Sequence, residues 1–236
     1  MTESDKRQRI AANWQQIQSE VDSAIAAHNR PKESVLIIGV TKYVDAEATA
    51  MLLDAGCRHL GENRPQVLWQ KAESDAMKSR AVQWHMIGHV QRNKLRRLLK
   101  HQPLIHSVDS TRLLAAISKE AMSQQQTIRV LLEVNISGDD SKTGLTADAI
   151  GKLLADGTPP AIEITGLMAM AGWGTDTDAA RRQFAQVRHL RDNLSQQFQL
   201  PLTELSMGMS GDFVEAIAEG ATMVRIGSRL FEGVID

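Results

Sequence analysis

Short apolar segments alternate with longer amphipathic segments along this chain. In residues 1–30, apolar side chains recur every three or four positions, which predicts a helix with one buried face. Those side chains are Ile10, Trp14, Ile17, Val21 and Ile25. Eight later segments are rich in apolar and β-branched residues and predict strands. They read SVLIIGVTK, CRHLGEN, VQWHMIGH, PLIHSVD, IRVLLEVN, IEITGLMAM, TELSMGM and TMVRIGS.

Segments typical of helices lie between most of these strands. They read AEATAMLLDAG, NKLRRLLKH, STRLLAAISKEAMSQQQ, TADAIGKLLADG, DTDAARRQFAQVRHLRDNLSQQF and DFVEAIAEG. Gly56, Gly157 and Gly220 are positioned to end three of them. Strand and helix alternation implies right-handed crossovers and a parallel sheet. Eight such units predict an α/β fold in which residues 1–236 form one (β/α)8 TIM barrel domain with an extra N-terminal helix.

Polar and small residues gather where the predicted strands end. The first strand finishes on Lys42, the second on Asn63 and the last on Arg225, Gly227 and Ser228. Barrels of this class carry their active sites at the C-terminal ends of the strands. The sequence therefore places a candidate site at that end of the barrel.

The last two strand ends are typical of a phosphate site. LSMGMSGDFVEAIAEG passes from a strand through a glycine- and serine-rich turn, with Ser210 or Asp212 as the expected N-cap of a helix. VRIGSRLFEG then ends a strand at Gly227 and Ser228. Loops after strands seven and eight often bind phosphate in these barrels, and free helix amides attract anions. Tight turns alone would also explain the glycines, but two such loops together favour phosphate.

Lys42 is an unusual residue at the end of an apolar run. If the strand alternation continues, Lys42 lies on the same face as Val40 and Ile38, while Tyr43 faces away. A buried lysine near another cation such as Arg225 is a good nucleophile toward carbonyl carbon. Together with a phosphate site, it fits a Schiff base with a sugar phosphate, as in an aldolase, or with pyridoxal 5'-phosphate. A rim lysine that extends into water is the plain alternative.

Composition and charge exclude several other classes of protein. The formal net charge of −1 gives no general attraction to nucleic acid or membrane surfaces. The basic segment QRNKLRRLLKH lacks interleaved aromatic residues, so we interpret it as a solvated face and expect no nucleic-acid partner. Cys57 is the only cysteine, and no segment resembles a signal peptide or a membrane span. We therefore expect a cytoplasmic protein without a membrane partner.

Seven blocks of sequence, in order, resemble one protein family. They are VTK at 40–42, GEN at 61–63, WHMIGHVQRNK at 84–94, IHSVDS at 105–110, GLMAM at 166–170, LSMGMSGDF at 205–213 and MVRIGSRLF at 223–231. These blocks resemble the pyridoxal-phosphate homeostasis proteins of the YggS/PROSC type. The resemblance implies a fold-type III barrel like that of the alanine racemase N-terminal domain. It also implies pyridoxal 5'-phosphate (PLP) as cofactor, cytoplasmic buffering or delivery of PLP, and no established catalytic activity.

The resemblance also implies six cofactor-binding residues, namely Lys42, Asn63, Ser210, Arg225, Gly227 and Ser228. Lys42 would hold PLP as an internal aldimine, Asn63 would line the ring and Arg225 would face the pyridine nitrogen. The other three would bind the phosphate. Met168, His85 and Ser206 lie in matching blocks and are candidates for the pocket wall. No metal is expected, because the chain offers histidines without a full ligand set.

Three positions depart from the family pattern, at Asp45, at Arg64–Pro65 and at Glu232. They concern the surroundings of the pocket and any partner surface, and none is a cofactor contact.

Two considerations favour a carrier over an enzyme. An arginine at the pyridine nitrogen keeps that nitrogen unprotonated and weakens the ring as an electron sink. Tyr43 is the only tyrosine, and alternation turns it away from Lys42, so the second base of a racemase is missing. A low-activity PLP enzyme, such as an amino-acid racemase, is the alternative. We also expect a monomer, with PLP-free enzymes as recipients of the cofactor.

Overall fold

Eight parallel strands close into a barrel, each paired with the next in chain order and the last with the first. This computed structural model describes residues 1–136, 143–172 and 174–235. The strands are β1 (Leu36–Val40), β2 (His59–Glu62), β3 (Gln83–Met86), β4 (Leu104–Val108), β5 (Ile128–Glu133), β6 (Ile162–Met168), β7 (Glu204–Met209) and β8 (Met223–Ile226). The predicted (β/α)8 barrel is confirmed, including β2 and β7, whose glycine and polar residues make them weak strands by propensity.

Helices cover the outside of the barrel: one precedes β1, and one follows each of the strands β1 to β7. They are α1 (Glu3–Ala27), α2 (Ala46–Asp54), α3 (Pro65–Ala72), α4 (Leu95–Leu98), α5 (Thr111–Ser123), α6 (Ala147–Ala155), α7 (Thr177–Phe198) and α8 (Phe213–Ala218). Short 3₁₀ helices span Arg92–Lys94, Leu99–His101 and Ser228–Phe231. The helix α3 was not predicted. The glycines expected to end three helices do adopt left-handed backbone angles, as Gly220 shows with φ +91°.

The interior of the barrel is only partly apolar. Five apolar side chains from five strands form a cluster separate from the main core, as expected of side chains that fill a barrel. These side chains are Ile38, Leu104, Leu131, Met168 and Met223. Buried polar side chains on strands β3, β4, β7 and β8 include His85, His106, Ser206 and Arg225. Buried polar groups need hydrogen-bond partners, so these four are candidates for a function.

The N-terminal helix α1 packs on the barrel through its predicted apolar face, which is buried throughout. Asn13 Nδ2 donates to the carbonyl oxygens of Leu230 and Glu232 at 3.2 and 3.0 Å. Arg229 binds both carboxylate oxygens of Glu20, at 2.7 and 2.5 Å. The helix thus holds the segment that follows β8, where two of the candidate phosphate residues lie. Within the described residues, no helix is both long and apolar enough to cross a membrane.

Candidate functional site

Lys42 lies in a tight turn just beyond β1, at the C-terminal end of the barrel. The strand ends at Val40, and the Val44 N–H donates to the Thr41 carbonyl at 3.1 Å to close the turn. The expectation that Lys42 continues the buried face of β1 is therefore wrong, because the side chain is exposed. The expected separation from Tyr43 is also wrong, since the Lys42 Nζ lies 4.7 Å from the centroid of that ring. A turn does not preserve strand alternation.

A buried ion pair lies directly behind this turn. Lys71 Nζ donates to Glu62 Oε1 and to the Thr41 carbonyl oxygen, both at 2.6 Å. The Thr41 hydroxyl donates to the same carboxylate oxygen at 2.6 Å. Burial lowers the pKa of Lys71, and the neighbouring Glu62 carboxylate opposes that shift. Because Lys71 holds the residue that precedes Lys42, this group positions the turn.

Arg225 lies fully within the wall of the same end of the barrel, on β8. Its Nη1 atom donates to the carbonyl and hydroxyl oxygens of Ser206, both at 2.7 Å, and its Nη2 atom donates to the Ala169 carbonyl at 3.0 Å. Burial lowers its pKa to about 10, while the carboxylates of Asp212 and Glu133 act in the opposite direction. The guanidinium is therefore charged at neutral pH and is anchored by neutral oxygens.

The two loops proposed for phosphate binding do meet. The Ser210 hydroxyl accepts from the Gly227 N–H at 3.4 Å, which joins the loop after β7 to the loop after β8. Ser228 is exposed at the start of a 3₁₀ helix. Asp212, one of the two expected N-cap residues, is the N-cap of α8, but its carboxylate accepts from the Met209 N–H at 2.6 Å and makes no capping bond to the helix. Burial raises the pKa of Asp212.

Asn63 follows β2 and contacts the loop after β3. A Cβ atom on Gly88 would lie 2.3 Å from the Asn63 carbonyl oxygen, so this close approach requires glycine. The Ser107 hydroxyl donates to the Gly88 carbonyl at 2.6 Å and fixes the same loop. Next to it, His89 Nδ1 lies 3.0 Å from an Asp109 carboxylate oxygen. The loops after β2, β3 and β4 thus form one side of the opening.

Sequence reasoning missed Glu133, which ends β5 at this opening. The residue is 6% exposed, and its carboxylate accepts from the Thr143 hydroxyl at 2.7 Å. Burial raises its pKa, and the nearby Asp109 carboxylate adds to the rise. The predicted strand segment IRVLLEVN ends at Asn135, two positions beyond the observed end of β5. An acidic residue directly after the apolar run VLL is the signal in the sequence that could have identified it.

The histidines form a chain of contacts and not a metal centre. Across residues 1–136, 143–172 and 174–235, no group of three His, Cys, Asp or Glu side chains is arranged to hold a metal ion. His85 and His106 are buried and lie against each other at 2.9 Å, whereas His89 is exposed.

Comparisons with known proteins give the family. Residues 6–233 match the model described as alanine racemase, N-terminal domain. The chain is 35% identical over 225 residues to the pyridoxal phosphate homeostasis protein of Aquifex aeolicus, covering 95% of this chain and 96% of that protein. It is also 35% identical to the protein of that name from Pseudomonas aeruginosa, with 94% of each covered.

Solved structures agree with these sequence matches. PipY of Synechococcus elongatus, solved with PLP bound, superposes with a TM-score of 0.84 at 34% identity, covering 94% of this chain and 99% of that one. Alanine racemase of Clostridium difficile is 14% identical with a TM-score of 0.75, and covers 96% of this chain and 56% of its own. The second likeness shows the fold alone. The described barrel, the matching family model and these full-length relatives show that this chain belongs to the pyridoxal phosphate homeostasis protein family, which has the fold of the alanine racemase N-terminal domain.

Proposed function

We propose that this protein binds PLP at the C-terminal end of the barrel and takes part in its homeostasis as a carrier. The observation that carries the proposal is the convergence of Lys42, Arg225 and the joined loops of Ser210 and Gly227 on one opening. These groups match the three parts of the cofactor: an aldehyde, a pyridine ring and a phosphate. When bound, PLP supplies an electrophilic aldehyde and a ring that withdraws electrons.

The chain's own residues fit this cofactor. Arg225 uses three of its five N–H donors on protein oxygens within the described residues, which leaves two for an acceptor such as a pyridine nitrogen. The hydroxyls of Ser210 and Ser228 would donate to phosphate oxygens, and the Gly227 N–H would exchange its 3.4 Å contact with the Ser210 hydroxyl for a phosphate oxygen. Asn63 would border the ring. Lys42 would condense with the aldehyde, forming a C=N bond and releasing one water.

The exposure of Lys42 supports a carrier. A lysine in an exposed turn would leave its C=N bond within reach of water and of other amines, so that the cofactor could be taken up and passed on. Enzymes, in contrast, exclude water from such sites. We propose PLP-free enzymes as recipients, and a monomeric carrier in the cytoplasm, where such recipients would be found.

The test is the visible absorbance of the full chain during titration with PLP. We expect a band in the wild type that Lys42→Ala lacks, and that Lys78→Ala keeps, because Lys78 is an exposed lysine paired with Asp75. Pyridoxal, which lacks the phosphate, should bind more weakly than PLP. Ser210→Ala should reduce this difference in affinity between the two ligands. Equal bands in the wild type and in Lys42→Ala would overturn the assignment of Lys42. No band in any protein would overturn the cofactor.

Turnover distinguishes the carrier from a racemase. Purified protein incubated with PLP and L- or D-alanine should leave the chirality of each unchanged. Racemisation that disappears in Lys42→Ala would show an enzyme instead. Sedimentation of the full chain over a range of concentrations tests the proposed monomer.

A further inference from the structure

A continuous row of hydrogen-bonding side chains crosses the barrel and ends at Arg225. His59 Nδ1 lies 3.0 Å from His85 Nε2, and His85 Nδ1 lies 2.9 Å from His106 Nε2. His106 Nδ1 lies 2.9 Å from the Ser206 hydroxyl, which accepts from Arg225 at 2.7 Å. We call His59, His85, His106 and Ser206 the histidine relay. It begins at the first residue of β2, at the N-terminal end of the barrel.

Arg225 determines which group donates and which accepts in each hydrogen bond of this relay. Arg225 can only donate, so the Ser206 oxygen must accept from it. The Ser206 O–H is then free to donate, and His106 Nδ1 is the acceptor in reach among the described residues. If His106 instead donated through Nδ1, the buried Ser206 hydroxyl hydrogen would have no acceptor in that part of the chain. Buried donors without acceptors are strongly disfavoured.

The same order of donor and acceptor then continues through the three imidazole rings. A neutral imidazole has one donor and one acceptor nitrogen, so His106, which accepts at Nδ1, donates from Nε2 to His85 Nδ1. His85 donates in the same way from Nε2 to His59 Nδ1. The hydrogen on His59 Nε2 is then directed away from the row. Each ring therefore carries its proton on Nε2.

Burial keeps the rings in the neutral form that this order needs. Desolvation lowers the pKa of His85 to about 3 and that of His106 well below its ordinary value. The pKa of the half-buried His59 is lowered by the same cause. A cationic ring would have two donors and no acceptor, and would interrupt the row.

We propose that the histidine relay is a positioning device for Arg225. It holds the Ser206 hydroxyl rotor so that its oxygen faces the guanidinium, and it thereby fixes which N–H groups of Arg225 point toward the ring nitrogen of the cofactor. The inference rests on the proposed function for its cofactor, but the order of the relay is a property of the chain alone. His59 lies beside a cavity of about 370 Å³ beneath α1, which Trp14 and Arg58 also line.

The first experiment determines the tautomers of the relay histidines in the absence of cofactor. Long-range ¹H–¹⁵N correlation spectra of the ¹⁵N-histidine-labelled full chain at pH 7 report which nitrogen of each ring carries the proton. We expect the Nε2–H form for all three relay histidines. A predominant Nδ1–H form at His85 or His106, or a cationic ring there, would overturn the proposed order.

Matched variants then test the effect on Arg225. His106→Gln keeps one acceptor and one donor, whereas His106→Leu has neither. We expect His106→Leu to mix the tautomers of His85 and to weaken PLP binding about tenfold, which is the lower end of the loss seen when an outer hydrogen-bonding partner of a metal ligand is removed. His106→Gln should keep most of the tautomer order of His85 and most of the affinity for PLP. Ser206→Ala, which removes a single oxygen, gives the same test if His106→Leu does not fold.

The two proposals fail in different ways. If the wild type binds no PLP, the proposed function fails while the tautomers still decide the order of the relay. If His106→Leu and Ser206→Ala mix the tautomers but bind PLP with unchanged affinity and spectrum, the positioning role is overturned and PLP binding stands. If both variants lose affinity and His106→Gln regains it, the relay positions Arg225.

Discussion

The replacement of Lys71 by methionine tests how the turn that carries Lys42 is held. Lys71 and Glu62 are 5% and 0% exposed, and their charged atoms lie 2.6 Å apart. Lys71 also holds the Thr41 carbonyl oxygen. Methionine fills a similar volume without a charge, so Lys71→Met leaves the Glu62 carboxylate buried, and among the described residues the Thr41 hydroxyl is then its one remaining hydrogen-bond partner.

Removal of one member of a buried ion pair costs about 3–5 kcal/mol, because the other charge stays in a medium of low dielectric constant. The free energy of unfolding of Lys71→Met should therefore fall by about 3 kcal/mol or more. The double variant Lys71→Met/Glu62→Gln has no buried charge at this place. It should recover most of that loss, since replacement of both partners by neutral groups is often close to neutral.

Urea unfolding of the wild type and the two variants measures this difference. With a denaturant slope of about 2–3 kcal/mol per molar urea, the midpoint of Lys71→Met should fall by about 1–2 M. Lys78→Met, at an exposed pair, is the control and should change stability by less than about 1 kcal/mol. A loss below about 1 kcal/mol in Lys71→Met, or a double variant as unstable as the single one, would refute the reasoning.

Three further predictions follow from the same structure. Acidification from pH 7 to pH 5 should reduce the free energy of unfolding by about 2 kcal/mol for each of His85 and His106, because the unfolded rings bind protons below pH 6.5 and the buried rings do not. In urea titrations at the two pH values, the decrease in the free energy of unfolding should be about 2 kcal/mol smaller for His85→Gln than for the wild type. Asp45→Ala should destabilise the chain by about 1 kcal/mol in thermal unfolding, because it removes the 2.8 Å cap of α2, and Asp45→Asn should keep most of the cap. Gly88→Ala should weaken PLP binding in an absorbance titration, because its Cβ would collide with the Asn63 backbone, and unchanged binding would show that this approach is not needed.

Much of the fold could be predicted because its pattern is local. Alternation of apolar strands with amphipathic helices identified all eight strands, and the apolar spacing of Ile10, Trp14 and Ile17 identified the buried face of α1. The helix α3 was not predicted, because it is only 8 residues long and contains a proline, which is unfavourable in the interior of a helix. Proline at the first position of a helix is favourable, and that is where Pro65 lies.

The candidate site was only partly predictable, because its geometry depends on long-range contacts. The prediction that the loops after β7 and β8 meet is confirmed by the contact between Ser210 and Gly227. The orientation of Lys42 could not be predicted, since the point where β1 gives way to a turn depends on Lys71, 30 positions from Thr41 in the chain. The histidine relay joins residues on four strands, and no spacing within one segment indicates such a row.

The central claim is that Lys42 holds PLP, and its most direct test is to locate the bond. The full chain is loaded with PLP, reduced with borohydride to make the linkage permanent, digested and analysed by mass spectrometry. The account predicts the added pyridoxyl mass on the peptide that contains Lys42, with little on other lysines. Modification mainly at another lysine, with Lys42 unmodified, would contradict it.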